Sequence, residues 1–290
     1  MSKLWMLAWL TPLLMASQAG GGSELPKFGL IHYNAPGKTV EEFLRWAKEA
    51  GFEYVELQIG DVWRRDTDPE AEARRIKALA DQIGVKISAL SAGNDFVVLD
   101  EDAVKAQVER MRRVCQLAKI LGTNVVRTEG GSPKPEVPEE RWAEAIANCL
   151  IRCKEFIEPM GIYLALDNHG MVTNNVPLQI EIFKRVNSKY VGANVDTMNY
   201  RWRGTDLATL NRWYEQIAPY AVHTHLKDGT GSLGNYKGAA LGEGEINLLW
   251  AVQCLKKAGY KGVWCAEYEG SEDPAVGYRK CLDWMKKHIK

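Results

Sequence analysis

The stretch that decides the fold runs from residue 124 to residue 196. It contains three short apolar runs, Asn124-Val-Val-Arg127, Ile162-Tyr-Leu-Ala-Leu166 and Val191-Gly-Ala-Asn-Val195, separated by longer segments at Glu139 to Met160 and Val176 to Val186. Short runs rich in β-branched and aliphatic residues are typical of buried strands, and the longer segments have the apolar spacing of helices. The stretch therefore predicts the order strand, helix, strand, helix, strand.

The same alternation continues in both directions along the chain. Five further runs have the composition of strands: Phe28 to His32, Tyr54 to Gln58, Val85 to Leu90, Ala221 to His225 and Val263 to Glu267. Helical patterns occupy Glu41 to Ala50, Pro69 to Ile83, the run after Asp100 to Leu121, Leu207 to Ile217, Leu248 to Ala258 and Pro274 to Ile289. Eight alternating units predict an α/β fold, the (β/α)₈ TIM barrel, which usually has about 250 residues.

A doubly wound open sheet is the competing architecture. Such a sheet normally has a glycine-rich turn directly after its first strand, whereas Gly20-Gly-Gly22 precedes the first strand candidate. The composition shows no break or linker after that point. We therefore expect residues 25–290 to form a single barrel domain.

Residues 1–19 have the features of a secretory signal peptide. Lys3 is followed by an apolar run from Leu4 to Met15, and small residues stand at Ser17 and Ala19. The run is shorter than the roughly 20 residues that span a bilayer. We predict cleavage after Ala19, a secreted or periplasmic location and no stable membrane insertion. The alternatives are an uncleaved anchor and a buried extension of a cytoplasmic protein.

Charge and cysteine content narrow the classes of partner and site. Thirty-seven basic and thirty-seven acidic residues give zero formal charge, so no overall field attracts nucleic acid or anionic lipid, and we expect no nucleic-acid partner. The six cysteines contain no CxxC motif. Cys149 and Cys153, four apart on a predicted helix, are core residues or half of a metal site, and we favour the core. The pattern leaves disulfides open.

Titratable residues concentrate at the ends of the predicted strands. Four of the five histidines lie there with several carboxylates, in the set His32, Glu56, Glu129, Asp167, His169, Asp196, His223, His225, Glu267 and Glu269. Side chains alternate along a strand, so Asp167 shares a face with His169, and His223 with His225. The chemistry of such barrels gathers at the carboxyl ends of the strands. The pattern therefore predicts a functional site at that end.

Four of these residues form a donor set for a metal ion. Asp167, Asp196, His225 and Glu267 come from four successive predicted strands. Carboxylates with one imidazole suit a divalent ion such as Mn²⁺, Mg²⁺, Co²⁺ or Zn²⁺, which would also relieve repulsion between the acids. The alternative is a network of ion pairs with basic residues such as Arg127 and Lys227.

The strand-end motifs together resemble the xylose isomerase-like TIM barrels, the sugar phosphate isomerase/epimerase superfamily. The similarity extends from the first strand to the last helix. It rests on the order and spacing of Gly51-Phe-Glu-Tyr-Val-Glu-Leu57, Leu164-Ala-Leu-Asp-Asn-His169, Val191-Gly-Ala-Asn-Val-Asp-Thr-Met-Asn199, Val222-His-Thr-His-Leu-Lys-Asp228, Leu241-Gly-Glu-Gly-Glu-Ile246 and Ala266-Glu-Tyr-Glu-Gly270.

The resemblance implies roles for individual residues. A divalent metal would be held by Asp167, Asp196, His225 and Glu267, and in the epimerases of the family the first and last acids also exchange a substrate proton, which makes Asp167 and Glu267 the expected catalytic pair. Substrate hydroxyl groups would be bound by His32, Glu56, Glu129, His169, Asn199, His223 and Lys227. The family usually has glutamate in place of Asp167 and, in ketose epimerases, histidine in place of Asn199. The shorter Asp167 suits metal binding better than proton transfer.

The expected activity is isomerisation or epimerisation of a sugar through an enediolate, by proton abstraction next to a carbonyl. The same enediolate can expel a β-leaving group, so a lyase or dehydratase acting on keto-sugars or keto-glycosides is the second hypothesis, and a secreted location favours it. Two others rank lower. Endonuclease IV-type phosphodiester cleavage needs more histidine ligands, and a non-catalytic sugar-binding barrel would use tryptophans such as Trp63, Trp142, Trp202 and Trp213.

Overall fold

A computed structural model describes residues 25–290, in which eight parallel strands close into a barrel. Each strand pairs with the next along the chain, and the last pairs with the first. The strands are β1 Lys27–Ile31, β2 Tyr54–Gln58, β3 Lys86–Ser91, β4 Val125–Thr128, β5 Tyr163–Asp167, β6 Val191–Asp196, β7 Ala221–Leu226 and β10 Val263–Ala266. Every strand boundary lies within one residue of its predicted position. The predicted TIM barrel is confirmed.

Eight long helices surround the barrel. They are α1 Val40–Ala50, α3 Pro69–Ile83, α4 Glu101–Leu121, α5 Trp142–Met160, α6 Val176–Val186, α8 Leu207–Ile217, α9 Leu248–Lys257 and α10 Pro274–His288. A capping box begins α1, because Thr39 and Glu42 each accept a hydrogen bond from the other's backbone. Gly51 ends the same helix with φ of 97°, a conformation that glycine adopts without steric cost.

Two short helices and one short hairpin in the loops were not predicted from the sequence. Helix α2 (Ile59–Val62) follows β2, helix α7 (Asn199–Trp202) follows β6, and β8 (Asp228–Thr230) pairs with β9 (Lys237–Ala239) as an antiparallel hairpin after β7. Elements of three or four residues are too short for a periodic pattern to be seen. All three lie at the carboxyl ends of the barrel strands.

The apolar core lies mainly between the barrel and the helices. Buried faces of the helices pack against the outward-facing strand residues, and Cys149 and Cys153 belong to this layer on α5. The core interpretation of these two cysteines is thus confirmed. All six cysteines are buried and free of disulfides, and burial raises the pKa of Cys115 to about 12.

Within residues 25–290, no helix is both long and apolar enough to cross a membrane. The predicted signal peptide at residues 1–19 lies outside the described residues.

Candidate active site

A cavity of about 420 Å³ opens at the carboxyl ends of the barrel strands. Its wall contains the predicted catalytic residues Asp167 and Glu267. Four of the predicted substrate-binding residues also border it, namely Glu129, His169, Asn199 and Lys227. A volume in this range accommodates a small molecule.

Three of the four predicted metal ligands meet at this end of the barrel. Ligand atoms of Asp196, His225 and Glu267 all lie within 4.8 Å of one another, and the three side chains are buried. The three residues come from the ends of β6 and β7 and from the position directly after β10. The order of the strands in the barrel makes them neighbours, as their spacing along the sequence predicted.

Two atoms of this cluster have no hydrogen-bond partner within residues 25–290. They are Oδ2 of Asp196 and Nδ1 of His225. The Nδ1 atom is only 2.8 Å from Oε2 of Glu267, but the two atoms are not in hydrogen-bonding geometry. Buried polar atoms normally find a partner, and ligand atoms that converge without bonding to each other are what a shared cation requires. The three residues therefore fit a divalent metal ion.

The pKa values of the cluster also indicate a need for positive charge. Burial raises the pKa of Asp196 to about 7, since Lys227 offsets only part of the cost of an ionised carboxylate there and Glu267 adds repulsion. Burial opposes protonation of His225, yet the carboxylates of Glu56 and Glu267 outweigh it and raise the imidazole pKa to about 10. A dication would let Asp196 ionise and His225 bind as a neutral ligand.

Local contacts orient the cluster. The other oxygen of Asp196, Oδ1, accepts hydrogen bonds from the backbone N–H groups of Met198 and Asn199 at 2.8 and 2.7 Å, where the chain turns into α7. Lys227 donates to Oε1 of Glu267 at 2.9 Å. Although burial favours a neutral Glu267, Lys227 and His225 lower the pKa of its carboxyl group, so Glu267 is ionised at neutral pH.

Asp167 has a different environment from the other three acids. Its Oδ2 accepts a hydrogen bond from Nη1 of Arg127 at 2.7 Å, and its Oδ1 accepts one from Nδ2 of Asn194, also at 2.7 Å. Among the described residues, Asp167 is not part of any group whose ligand atoms converge as in a metal site. The ion-pair alternative from the sequence thus describes Asp167 in this structure, whereas Asp196, His225 and Glu267 form a candidate metal site.

Glu56 and His223 lie beneath the cavity and do not border it. Glu56 is fully buried; its Oε2 accepts hydrogen bonds from Nε2 of His223 at 2.9 Å and from Nε2 of His225 at 2.8 Å, while Oε1 accepts one from Arg127. A carboxylate in this position fixes the orientation of a metal-binding imidazole. The geometry is that of a support for His225 rather than of a substrate contact.

His32 also lies outside the cavity wall. Its Nδ1 is 2.9 Å from both carboxylate oxygens of Asp61, and its ring stacks on Phe43 with centroids 4.1 Å apart. The strand neighbours Ile31 and Tyr33 border the cavity instead. Because side chains alternate along a strand, a one-residue difference in position moves a side chain to the other face.

The sequence reasoning missed several residues of the cavity wall. Tyr33 and Gln58 border it, and Arg127, named only as an ion-pair partner, lies at its base; Glu269, named only as a strand-end acid, borders it as well. The alternation of side chains was the available signal for two of them, because Arg127 shares a strand face with Glu129, and Glu269 shares one with Glu267. Trp202, proposed as a sugar-stacking residue, borders the cavity as well.

The chain is similar in sequence to a sugar epimerase and in fold to several solved structures. L-ribulose-5-phosphate 3-epimerase UlaE of Shigella flexneri serotype 5b (strain 8401) is 27% identical over 269 residues, which cover 87% of this chain and 91% of the relative. Among solved structures, the IOLI protein with a bound zinc atom has a TM-score of 0.73 and 19% identity, covering 90% of this chain and 96% of its own. The 3-keto-D-glucoside 4-epimerase YcjR from E. coli has a TM-score of 0.71 and 16% identity, covering 91% of this chain and 100% of its own.

A family profile described as "Xylose isomerase-like TIM barrel" matches residues 44–288, from the first helix to the last. The match spans most of the chain and includes the three residues of the cluster. This chain therefore belongs to the xylose isomerase-like TIM barrel family.

Proposed function

We propose that this chain is a divalent-metal-dependent enzyme that isomerises or epimerises a small sugar through an enediolate. The observation that carries the proposal is the buried group of Asp196, His225 and Glu267, with two unpartnered ligand atoms beside a cavity of about 420 Å³. Epimerases among the relatives and structural neighbours support the same class of reaction.

Asp196, His225 and Glu267 would hold the metal ion. A bound divalent ion polarises a carbonyl oxygen and stabilises the negative charge that develops on it. Oxygen and nitrogen ligands without thiolate suit Mn²⁺, Mg²⁺, Co²⁺ or Zn²⁺, and a zinc-containing neighbour of the same fold is consistent with this range. Asp167 as a fourth ligand remains a prediction from the sequence.

Glu267 is the residue that would move the proton. Its carboxylate is ionised and borders the cavity, so it can accept a proton from the substrate carbon next to a carbonyl group. Lys227, 2.9 Å from Oε1 of Glu267, is placed to donate a hydrogen bond to a substrate oxygen as charge develops on it. Glu129, His169 and Asn199 would bind substrate hydroxyl groups.

Elimination from a keto-glycoside is the second candidate reaction. Asp167 is paired with Arg127, whereas Glu267, the other predicted catalytic acid, has no arginine partner among the described residues. A single base is sufficient for β-elimination, whereas inversion at carbon normally uses a group on each face. A structural neighbour that acts on a 3-keto-D-glucoside makes this substrate class worth testing beside free ketoses and ketose phosphates.

Incubation with these three substrate classes in D₂O tests the proposal. The protein is loaded with Mn²⁺ or Zn²⁺, and the products are followed by NMR. An isomerase or epimerase gives deuterium incorporation with an isomeric sugar, and a lyase gives an unsaturated sugar with release of the aglycone. Absence of both deuterium exchange and product with all three classes would refute the proposal.

Glu267→Gln is the variant that tests the proposed base. It keeps the size of the side chain and removes the proton acceptor, so turnover should fall by about 10²- to 10⁴-fold with an unchanged circular dichroism spectrum. Glu272→Gln, on the exposed surface after β10, is the matched control and should retain full activity. Wild-type turnover by Glu267→Gln would show that another group moves the proton.

A further inference from the structure

Arg127 places a buried guanidinium group at the base of the cavity, between two acidic residues. Nε donates to Oε1 of Glu56 at 2.8 Å, Nη1 to Oδ2 of Asp167 at 2.7 Å, and Nη2 to Oγ of Ser91 at 2.8 Å. The side chain is only 6% exposed. Its three nitrogens thus hold side chains of β2, β3 and β5 in one arrangement.

Both carboxylate oxygens of Asp167 are hydrogen-bonded within this buried network. Arg127 donates to one oxygen and Asn194 to the other, and the side chain of Asp167 is itself only 2% exposed. Its oxygens do not converge with the ligand atoms of Asp196, His225 and Glu267, so to join them Asp167 would have to move relative to the guanidinium, which also pairs with Glu56 and lies 3.8 Å from Glu129. Removing one member of a buried ion pair is strongly unfavourable because the other charge stays out of water.

The acids at the cavity base have different cationic partners. Lys227 lies between Glu267, at 2.9 Å, and Asp196, at 3.7 Å. Asp167 is paired with Arg127 at 2.7 Å. Asp167 thus has a hydrogen-bonded cation of its own, in contrast to Asp196, whose Oδ2 has no hydrogen-bond partner among the described residues.

Building on the proposed function, we infer that the metal ion is held by only three side chains, Asp196, His225 and Glu267, and that Asp167 forms a fixed ion pair with Arg127 that serves as a wall of the substrate cavity. The guanidinium borders the cavity and still has one free N–H on each of Nη1 and Nη2, which are donors for a substrate oxygen. Arg127 is thereby a substrate-positioning residue of this chain.

Two variants with the same chemical change test the inference. Asp167→Asn and Asp196→Asn each remove one negative charge from a buried aspartate at a strand end. Binding of Mn²⁺ alone is measured by electron paramagnetic resonance of the free ion, at one pH and without substrate. We expect Asp167→Asn to bind Mn²⁺ within about threefold of the wild type, because it touches none of the three ligands. We expect Asp196→Asn to lose more than about 100-fold in Mn²⁺ affinity, which is more than the loss of a residue that only hydrogen-bonds a metal ligand causes.

Loss of Mn²⁺ affinity by Asp167→Asn as large as that of Asp196→Asn would overturn the three-residue set while leaving the proposed metal enzyme intact. Failure of the wild type to bind Mn²⁺, Co²⁺ or Zn²⁺ would overturn the metal dependence itself. If Asp167→Asn is unstable by circular dichroism, the double variant Arg127→Gln, Asp167→Asn removes both charges of the pair and is measured in its place, with the same expected affinity.

Discussion

Glu56 accepts hydrogen bonds from Arg127, His223 and His225 in the barrel interior. Burial favours its neutral form, but His225 and Arg127 outweigh this effect and lower the pKa of the carboxyl group well below 4.5. The ionised group thus stabilises the folded protein. Its hydrogen bond with Nε2 of His225 holds the imidazole of that residue in its orientation.

We expect Glu56→Gln to lower the free energy of unfolding by about 3–5 kcal/mol at pH 7, because it removes one partner of a buried ion-pair network. Denaturant titration measures the change, and Glu53→Gln, exposed beside the same strand, is the control and should have little effect. A loss below about 1 kcal/mol would contradict the role assigned to the carboxylate.

The wild type and Glu56→Gln should differ less in their free energy of unfolding at acid pH. A carboxyl group with a lowered pKa in the folded state contributes its full stability above its unfolded pKa, near 4.5, and loses it as the pH falls towards the lowered value. The difference in unfolding free energy between wild type and Glu56→Gln should therefore be greatest above pH 5 and shrink below it.

At the scale of elements, the carboxylate of Asp228 holds the segment 240–246, which follows β9. Asp228 accepts hydrogen bonds from the backbone N–H groups of Gly242, Gly244 and Ile246. A Cβ atom at Gly244 would come within 2.1 Å of Oδ1 of Asp228, so glycine allows the backbone to approach. This contact explains the second glycine of the Gly-Glu-Gly motif that the sequence resemblance used.

Asp228→Ala should destabilise the protein by about 1–3 kcal/mol, since it removes the acceptor of three backbone N–H groups, of which that of Ile246 is buried. Hydrogen exchange should become faster in residues 240–246 than in the barrel strands, which mass spectrometry of peptides can resolve. Asp66→Ala, on an exposed loop, is expected to change stability by no more than about 0.5 kcal/mol. Equal hydrogen exchange of residues 240–246 in the wild type and in Asp228→Ala would show that other contacts hold this segment.

At the scale of the whole molecule, the balance of thirty-seven basic and thirty-seven acidic residues hides an uneven distribution. Many surface pairs join neighbouring helical turns, such as Arg45 with Glu41 and Arg185 with Glu181. At the carboxyl ends of the strands, acids and histidines gather around Arg127 and Lys227. A chain without net charge can therefore contain a local site for a cation.

The signal peptide predicted for residues 1–19 is a proposal about the whole chain. β1 begins at Lys27, so removal of residues 1–19 takes away no element of the barrel. We expect the exported protein to start at Gly20, and protein lacking residues 1–19 to melt at the temperature of the full chain. Mass spectrometry of protein recovered from the native host checks the first expectation, and a soluble intracellular product that retains Met1 would contradict it.

The sequence by itself determined the barrel and the end of it that carries the chemistry. Strand and helix periods are local properties, so the runs around Leu164, Val195 and Thr224 are recognisable without knowledge of their neighbours. Parallel strands of a closed barrel end at the same side, which brought Asp196, His225 and Glu267 together as predicted. The sequence predicted less well which side chains border the cavity. His32 does not border it, whereas its neighbours Ile31 and Tyr33 do.

Only the tertiary structure decided which acid pairs with which cation. Arg127 reaches Glu56, 71 positions earlier, and Asp167, 40 positions later, because the long guanidinium side chain spans neighbouring strands inside the barrel. Spacing along the sequence contains no information about that reach. The reach of the Arg127 side chain also depends on the local strand register. That register shifts beside Glu56 in the pairing of β2 with β3 and beside Asn194 in the pairing of β6 with β7. The sequence thus specified the donors at one end of the barrel, and three-dimensional packing assigned Asp167 to an ion pair and left Oδ2 of Asp196 without a hydrogen-bond partner among the described residues.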